Sequence, residues 1–213
     1  MPSKKLKNFG LYFITDSRLT RKSVIEDAKS AIKAGVKIIQ YREKNKSTSD
    51  MFKEAKEIKK LCKENNVLFL INDRIDVALA VDADGVHLGA DEDIPYKYAR
   101  KLLGSSKIIG LSAHSVKEAL KNQELGADYT SIGPIYFTTT KKNSHKPIGL
   151  EPVKQLKNKI KIPFVAIGGI NEKNIGKVLK AGAKNIAIIS AIIAKDNVEK
   201  AAKYFIEKIN SYK

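Results

Sequence analysis

Eight short runs rich in Val, Ile and aromatic residues recur along the chain: Leu11–Asp16, Val36–Arg42, Leu68–Asp73, Gly85–Gly89, Lys107–Ser112, Tyr129–Ile135, Pro163–Gly169 and Asn185–Ser190. Their length and composition read as strands. Amphipathic stretches with apolar residues three and four apart lie between most of them, among them Ser23–Ala34, Ser49–Glu64, Ser115–Leu125, Leu150–Lys159 and Glu172–Ala181. Shorter helices are expected over Arg74–Val81 and Tyr96–Leu103. Three helices end in Ala34-Gly35-Val36, Leu125-Gly126-Ala127 and Ala181-Gly182-Ala183, where glycine can take the left-handed conformation that stops a helix. Alternating strands and helices call for parallel pairing, and runs such as Leu68-Phe69-Leu70-Ile71 suit strands covered on both faces. Eight units close naturally into a (β/α)8 barrel. An open doubly wound sheet would use about five or six strands, and no Gly-x-Gly-x-x-Gly follows the first run. With no linker or low-complexity segment, residues 1–213 are expected to form a single domain.

Composition narrows the setting. No segment reaches the ~18 consecutive apolar residues of a membrane span, and no signal-like apolar run follows Lys5, so a soluble, cytoplasmic protein without membrane contact is expected. The 40 Lys and Arg against 23 Asp and Glu give +17, a balance that could attract nucleic acid. The lysines instead recur along helices such as Lys53–Lys63 and Lys154–Lys161, without a basic tail or a recognition motif, so a solvated surface and no nucleic-acid partner are expected. Cys62 is the single cysteine, which excludes an internal disulfide; its helical setting suggests a packed filler.

Polar residues gather where the runs end: Asp16, Gln40 to Lys44, Asn72-Asp73, His87, Ser112 with His114, and Ser190. In a (β/α)8 barrel these ends form one rim, where such enzymes place their sites. Strand alternation sends Gln40, Arg42 and Lys44 one way and Tyr41 and Glu43 the other. A planar guanidinium beside a mobile ammonium suits a diphosphate. Arg42 and Lys141 are expected to be exposed at the rim, so that their removal costs turnover and spares stability. Ser112 and His114 share a face, although His114 could equally cap the next helix.

Asp73, with the acidic cluster Asp91-Glu92-Asp93 after the fourth run, could offer Mg2+ the carboxylates it takes beside phosphate oxygens and water. A salt bridge from Asp73 to Arg74 or Arg42 is the alternative. After the sixth run, Gly133 to Lys142 carries hydroxyls and ammonium groups in succession and reads as an anion-binding lid. The seventh and eighth runs end in Gly168-Gly169-Ile170 and Ile189-Ser190-Ala191, where helix-start N–H groups can receive phosphate.

The ordered series Tyr12-Phe13-Ile14-Thr15-Asp16, Gln40-x-Arg42-x-Lys44, Asn72-Asp73-Arg74, Gly85-Val86-His87-Leu88-Gly89, Gly110-x-Ser112-x-His114 and Gly126-Ala127-Asp128-Tyr129 resembles the thiamine-phosphate synthase family. It continues in Gly133-Pro134-Ile135-Tyr136, Thr138-x-Thr140-Lys141-Lys142, Ala166 to Ile170 and Ile188 to Ala191, spanning nearly the whole chain. The resemblance implies a transferase that condenses hydroxymethylpyrimidine diphosphate with a thiazole phosphate, with Mg2+ required. It further implies that Gln40, Arg42, Lys44, Asn72 and Lys141 hold the pyrimidine diphosphate, that Asp73 and an acidic residue after the fourth strand bind Mg2+, and that Ser112 contacts the reacting groups. Thr138, Thr140, Gly169, Ile189 and Ser190 would receive the thiazole phosphate. Ser112, Lys141 and Arg42 are the implied catalytic residues.

This chain departs from the family pattern at two places. The family often reads Gly-Gln-x-Asp after the fourth strand, whereas Gly89-Ala90-Asp91-Glu92-Asp93-Ile94-Pro95 stands here. Counting back from Pro95 favours Asp93 as the metal ligand, with Asp91 and Glu92 as alternatives. Phe137 stands where the family commonly has proline. A related thiazole tautomerase, which needs a general acid/base rather than a diphosphate and metal site, is the nearest rival. A noncatalytic polyanion-binding protein is the remote one. The residues specify no oligomeric state.

Overall fold

The computed structural model describes residues 6, 8–89, 94–140 and 145–212. In chain order they form β1 (Leu11–Ile14), α1 (Val24–Lys33), β2 (Ile38–Tyr41), α2 (Thr48–Glu64), β3 (Leu68–Asn72), α3 (Ile75–Ala80), β4 (Gly85–Leu88), α4 (Tyr96–Leu103) and β5 (Ile108–Ala113). There follow α5 (Val116–Leu125), β6 (Tyr129–Ile132), α6 (Glu151–Lys159), β7 (Phe164–Ile167), α7 (Ile175–Lys180), β8 (Asn185–Ile188), α8 (Ser190–Ile193) and α9 (Val198–Asn210). Strands β1 to β8 pair in sequence order, and β1 closes in parallel on β8 with Tyr12 opposite Ala187. This is the expected (β/α)8 barrel.

The continuous apolar runs have a simple cause. Tyr12 and Ile14 of β1 turn into the barrel while Leu11 and Phe13 face the helices; Leu70 of β3 likewise turns in between Phe69 and Ile71, which turn out. Both faces are covered, so alternation leaves no polar stripe. Leu6 and Phe9 pack into the interior cluster beside Tyr12.

Strands stop short of the expected ends because the terminal residues leave the ladder for the rim. The first run ends at Ile14 rather than Asp16, and the sixth at Ile132 rather than Ile135. Serines fix several helix starts: the Ser23, Ser47 and Ser115 side chains accept from the N–H groups of Glu26, Asp50 and Glu118. An acidic residue at the third helical position makes each a capping box or a close relative of one. Gly35, Gly126 and Gly182 all have positive φ, as the helix-ending phrases require. Cys62 is buried on α2, and burial pushes its thiol pKa up to about 12. Among the described residues no helix is long and apolar enough to cross a membrane.

At the opposite end from the rim, acidic side chains tie strand starts together. Asp84 accepts from the Phe69 N–H at 2.8 Å, and Asp128 accepts from the Ile109 N–H at 2.8 Å and from Arg100 at 2.7 Å. The Asp128 motif therefore serves the scaffold.

Candidate active site

One cavity of about 380 Å³ opens at the C-terminal ends of the strands. Gln40, Arg42 and Lys44 line it from β2 and its loop, Asn72 and Asp73 from the end of β3, and Ser112 from β5. Thr138 and Thr140 approach from the loop after β6, Gly169 follows β7, and Ile189 and Ser190 follow β8. Lys141, Asp91, Glu92 and Asp93 lie outside the described residues.

Alternation acts as read: Gln40, Arg42 and Lys44 reach the cavity, while the Tyr41 hydroxyl donates outward to Glu54 at 2.7 Å. Glu43 turns back on its own loop and accepts from the N–H groups of Lys44 at 2.7 Å and Asn45 at 2.8 Å. Burial pushes its carboxyl up, but bonds from Ser17 and those two N–H groups outweigh it and leave the pKa below the usual range. The Lys44 loop is thereby fixed by its own sequence.

The expectation that Arg42 is exposed at the rim is wrong. Its side chain is 7% exposed, and its Nη1 donates to Asp16 at 2.7 Å. Strand pairing is the cause: β1 lies beside β2, and the Arg42 N–H bonds Thr15 Oγ1 at 3.0 Å, which brings Asp16 alongside. Among the described residues buried Arg42 Nε has no hydrogen-bond partner, so the guanidinium keeps a donor in reserve.

Asp16 also holds Arg18, which the sequence reading missed. Arg18 donates to both Asp16 oxygens, from Nε at 2.9 Å and from Nη2 at 2.7 Å, and its Nη2 also reaches the Thr140 carbonyl at 2.7 Å. It thus ties the loop after β6 to the loop after β1. An acid and an arginine two residues apart beyond a strand were the available signal. Burial pushes the Asp16 carboxyl up, yet the Arg18 hydrogen bond and the Arg42 charge hold it below the usual carboxylate range.

Asp73 pairs with Lys44 and accepts from Asn72 Nδ2. Neither Arg74 nor Arg42 is its partner: Arg74 turns away to Asp76 and Thr48. Positive φ at Asp73 ends β3 and turns the chain at the rim. His114 is not the cap considered for it: Ser115 caps α5, its side chain accepting from the Glu118 N–H. The His114 N–H bonds the Glu118 carboxylate at 2.8 Å, while its ring lines the cavity, with Nδ1 2.7 Å from the Gly133 carbonyl, and stacks on His145.

The glycine pair after β7 lets the neighbouring loop close in. Tyr136 N–H bonds the Gly168 carbonyl at 3.0 Å, and a Cβ on Gly169 would sit 2.4 Å from the Phe137 carbonyl oxygen. The first N–H groups of α8 have no partner within that helix, and Ser190 with Ile189, the residue that precedes the helix, lines the cavity. Phe137 itself points outward, 74% exposed.

Residues 11–192 match the family model described as thiamine monophosphate synthase. A thiamine-phosphate synthase of Methanosarcina barkeri is 50% identical over 207 residues, covering 97% of this chain and 93% of that protein. One from Clostridium novyi is 49% identical over 197 residues, covering 92% of this chain and 96% of that protein. A solved thiamine phosphate pyrophosphorylase from Pyrococcus furiosus superposes with a TM-score of 0.88 at 40% identity, over 96% of this chain and 97% of that one. Matches of this length, on a barrel of the same fold, mean that the chain belongs to the thiamine monophosphate synthase family.

Proposed function

We propose that this chain, a single barrel domain acting in the cytoplasm, is a transferase that joins hydroxymethylpyrimidine diphosphate to a thiazole phosphate, giving thiamine phosphate and diphosphate. One observation carries the reading: a single cavity is lined by two sets of groups suited to anions. Arg42, Lys44 and Asn72 come from the loop after β2 and from β3, and Thr138, Thr140, Gly169 and the start of α8 come from the segments after β6, β7 and β8. A substrate pair with a diphosphate on one partner and a phosphate on the other fits that division.

In this reading the carbon–oxygen bond at the pyrimidine methylene breaks, its electron pair leaving with diphosphate, and the thiazole nitrogen supplies the pair for the new carbon–nitrogen bond. Negative charge grows on the leaving group, where Arg42 and Lys44 face it in a site already ordered by Asp16 and Glu43. Lys141 would add a third cation from the lid. Gln40, Asn72 and Ser112 orient the pyrimidine, and holding two reactants in line contributes much of the rate.

Mg2+ suits this rim. Asp73 offers hard carboxylate oxygen beside the groups read as holding diphosphate, and an ion that takes one or two carboxylates plus phosphate oxygens needs little more from the protein. Asp73 and Asp93, or alternatively Asp91 or Glu92, would hold it. Bound there, it would neutralise charge on the departing diphosphate. Lys44, now on Asp73, would be released to the phosphates.

The cationic pair Arg42 and Lys44, just after β2, favours this reaction over thiazole tautomerisation, which has no diphosphate to receive. Near-full-length similarity to thiamine-phosphate synthases weighs against a polyanion-binding protein. The test is product formation from both substrates with Mg2+ and with EDTA. Metal-dependent thiamine phosphate is expected; folded protein that makes none, beside a working control, would overturn the proposal.

A further inference from the structure

Beneath the rim, five buried side chains from five strands form a continuous hydrogen-bonded line. Gln40 Nε2 donates to the Tyr12 hydroxyl at 2.8 Å, and Tyr12 and Tyr129 share a bond of 2.9 Å. The Tyr129 hydroxyl lies 2.8 Å from His87 Nδ1, and His87 Nε2 lies 3.1 Å from Ser112 Oγ. All five are at most 8% exposed.

Proton counting leaves such a line two polarities. Each hydroxyl has one proton to donate, and a neutral imidazole has one donor and one acceptor nitrogen. Burial raises the pKa of both phenols, so each keeps its proton. The Gln40 amide donates to Tyr12, so Tyr12 donates to Tyr129 and Tyr129 donates to His87 Nδ1. His87 then carries its proton on Nε2 and gives it to Ser112. The serine oxygen is thereby engaged as an acceptor, and its own proton is left for the cavity.

We propose that Tyr12, Tyr129 and His87 are positioning residues that transmit the polarity of the Gln40 amide to Ser112, fixing the Ser112 hydroxyl as a donor toward the bound substrate. The consequence for turnover rests on the synthase reading; the polarity itself does not. Neutral links in a low-dielectric setting reinforce one another, so the line holds its direction without a charge. Two groups that touch the substrate, on β2 and β5, are thus set by one device. Gly110 guards it, since a Cβ there would lie 2.2 Å from a Tyr129 ring carbon.

The test is the His87 tautomer in the intact chain labelled with 15N-histidine, read by long-range proton–nitrogen correlation and assigned with a His87→Gln control. A proton on Nε2 and a bare Nδ1 are expected. Gln40→Glu places an acceptor-only carboxylate at the head of the line and should invert the tautomer. Tyr12→Phe removes one hydroxyl and serves if Gln40→Glu does not fold; a second tautomer should appear, with kcat falling about tenfold, an alignment loss of roughly 1.4 kcal/mol. A wild-type proton on Nδ1, protons on both nitrogens, or a tautomer that neither variant moves would overturn the proposal. If wild type shows the expected tautomer, inverted by Gln40→Glu, yet makes no thiamine phosphate, the polarity stands and the synthase reading alone fails.

Discussion

Replacing Arg42 by Met keeps much of the side-chain stem and deletes the guanidinium. Asp16, 2% exposed, then loses one of two cationic partners and keeps Arg18. Removing one member of a buried pair costs about 3–5 kcal/mol, and the remaining Arg18 should hold the loss to about 2–3 kcal/mol. At about 2–4 °C per kcal/mol for a chain of this size, Tm should fall by about 4–12 °C. The pH dependence has a definite sign. The folded Asp16 pKa lies below its ordinary value, so its stabilisation is present above the unfolded carboxylate pKa of about 3.9 and is lost as pH falls through the folded value. Without the Arg42 charge the folded value rises, and acid unfolding should begin at higher pH. A lost charge-assisted bond to phosphate of about 1.5–3 kcal/mol should lower kcat/KM about 10- to 150-fold. Thermal melts from pH 7 to 3, run beside steady-state kinetics, check both halves. An unchanged Tm with turnover lost would refute the Asp16 coupling, and a lowered Tm with kcat/KM intact would refute the anion role.

Three further outcomes follow from the packing. Gly169→Ala forces a left-handed alanine, about 1–2 kcal/mol, and pushes against the Phe137 carbonyl; circular-dichroism melts should show the loss, and the KM for thiazole phosphate should rise. Cys62, buried with its thiol pKa pushed up to about 12, should resist a disulfide reagent at pH 8 until the chain unfolds, and rapid labelling of native protein would contradict its burial. Asp27 is buried on α1 with Oδ2 unpartnered among the described residues, and burial, outweighing a bond from the Thr20 side chain, holds its carboxyl above the usual value, so native stability falls as pH rises past the unfolded pKa. Asp27→Asn should therefore melt higher than wild type at pH 7, with the gap narrowing toward pH 4; equal melting at pH 7 would sink this account.

The barrel was legible because both of its periodicities are local. Ser23, Ser115 and Gly126 announce helix ends within a few residues of themselves, and Leu68 to Ile71 announces a doubly covered strand. Alternation also showed which side chains of β2 and the loop after it face the cavity. What alternation does not carry is the neighbour across the ladder. Arg42 reads as a rim cation until β1 sets Asp16 beside it, and Tyr12 and Tyr129 read as core aromatics until closure of the barrel joins their hydroxyls. Arg18 escaped notice for the same reason: its tie to Thr140 spans loops that meet only in three dimensions.

The most direct test of the two sets of anion-binding groups is a pair of KM measurements on two variants, each with both substrates varied. Lys44→Ala should raise KM for hydroxymethylpyrimidine diphosphate by about tenfold or more and leave that for thiazole phosphate within about twofold. Thr140→Val should do the reverse, by about fivefold. Separate shifts of this kind would assign the two anions to the two sets of groups in one cavity, whereas KM values that move together, or not at all, would contradict it.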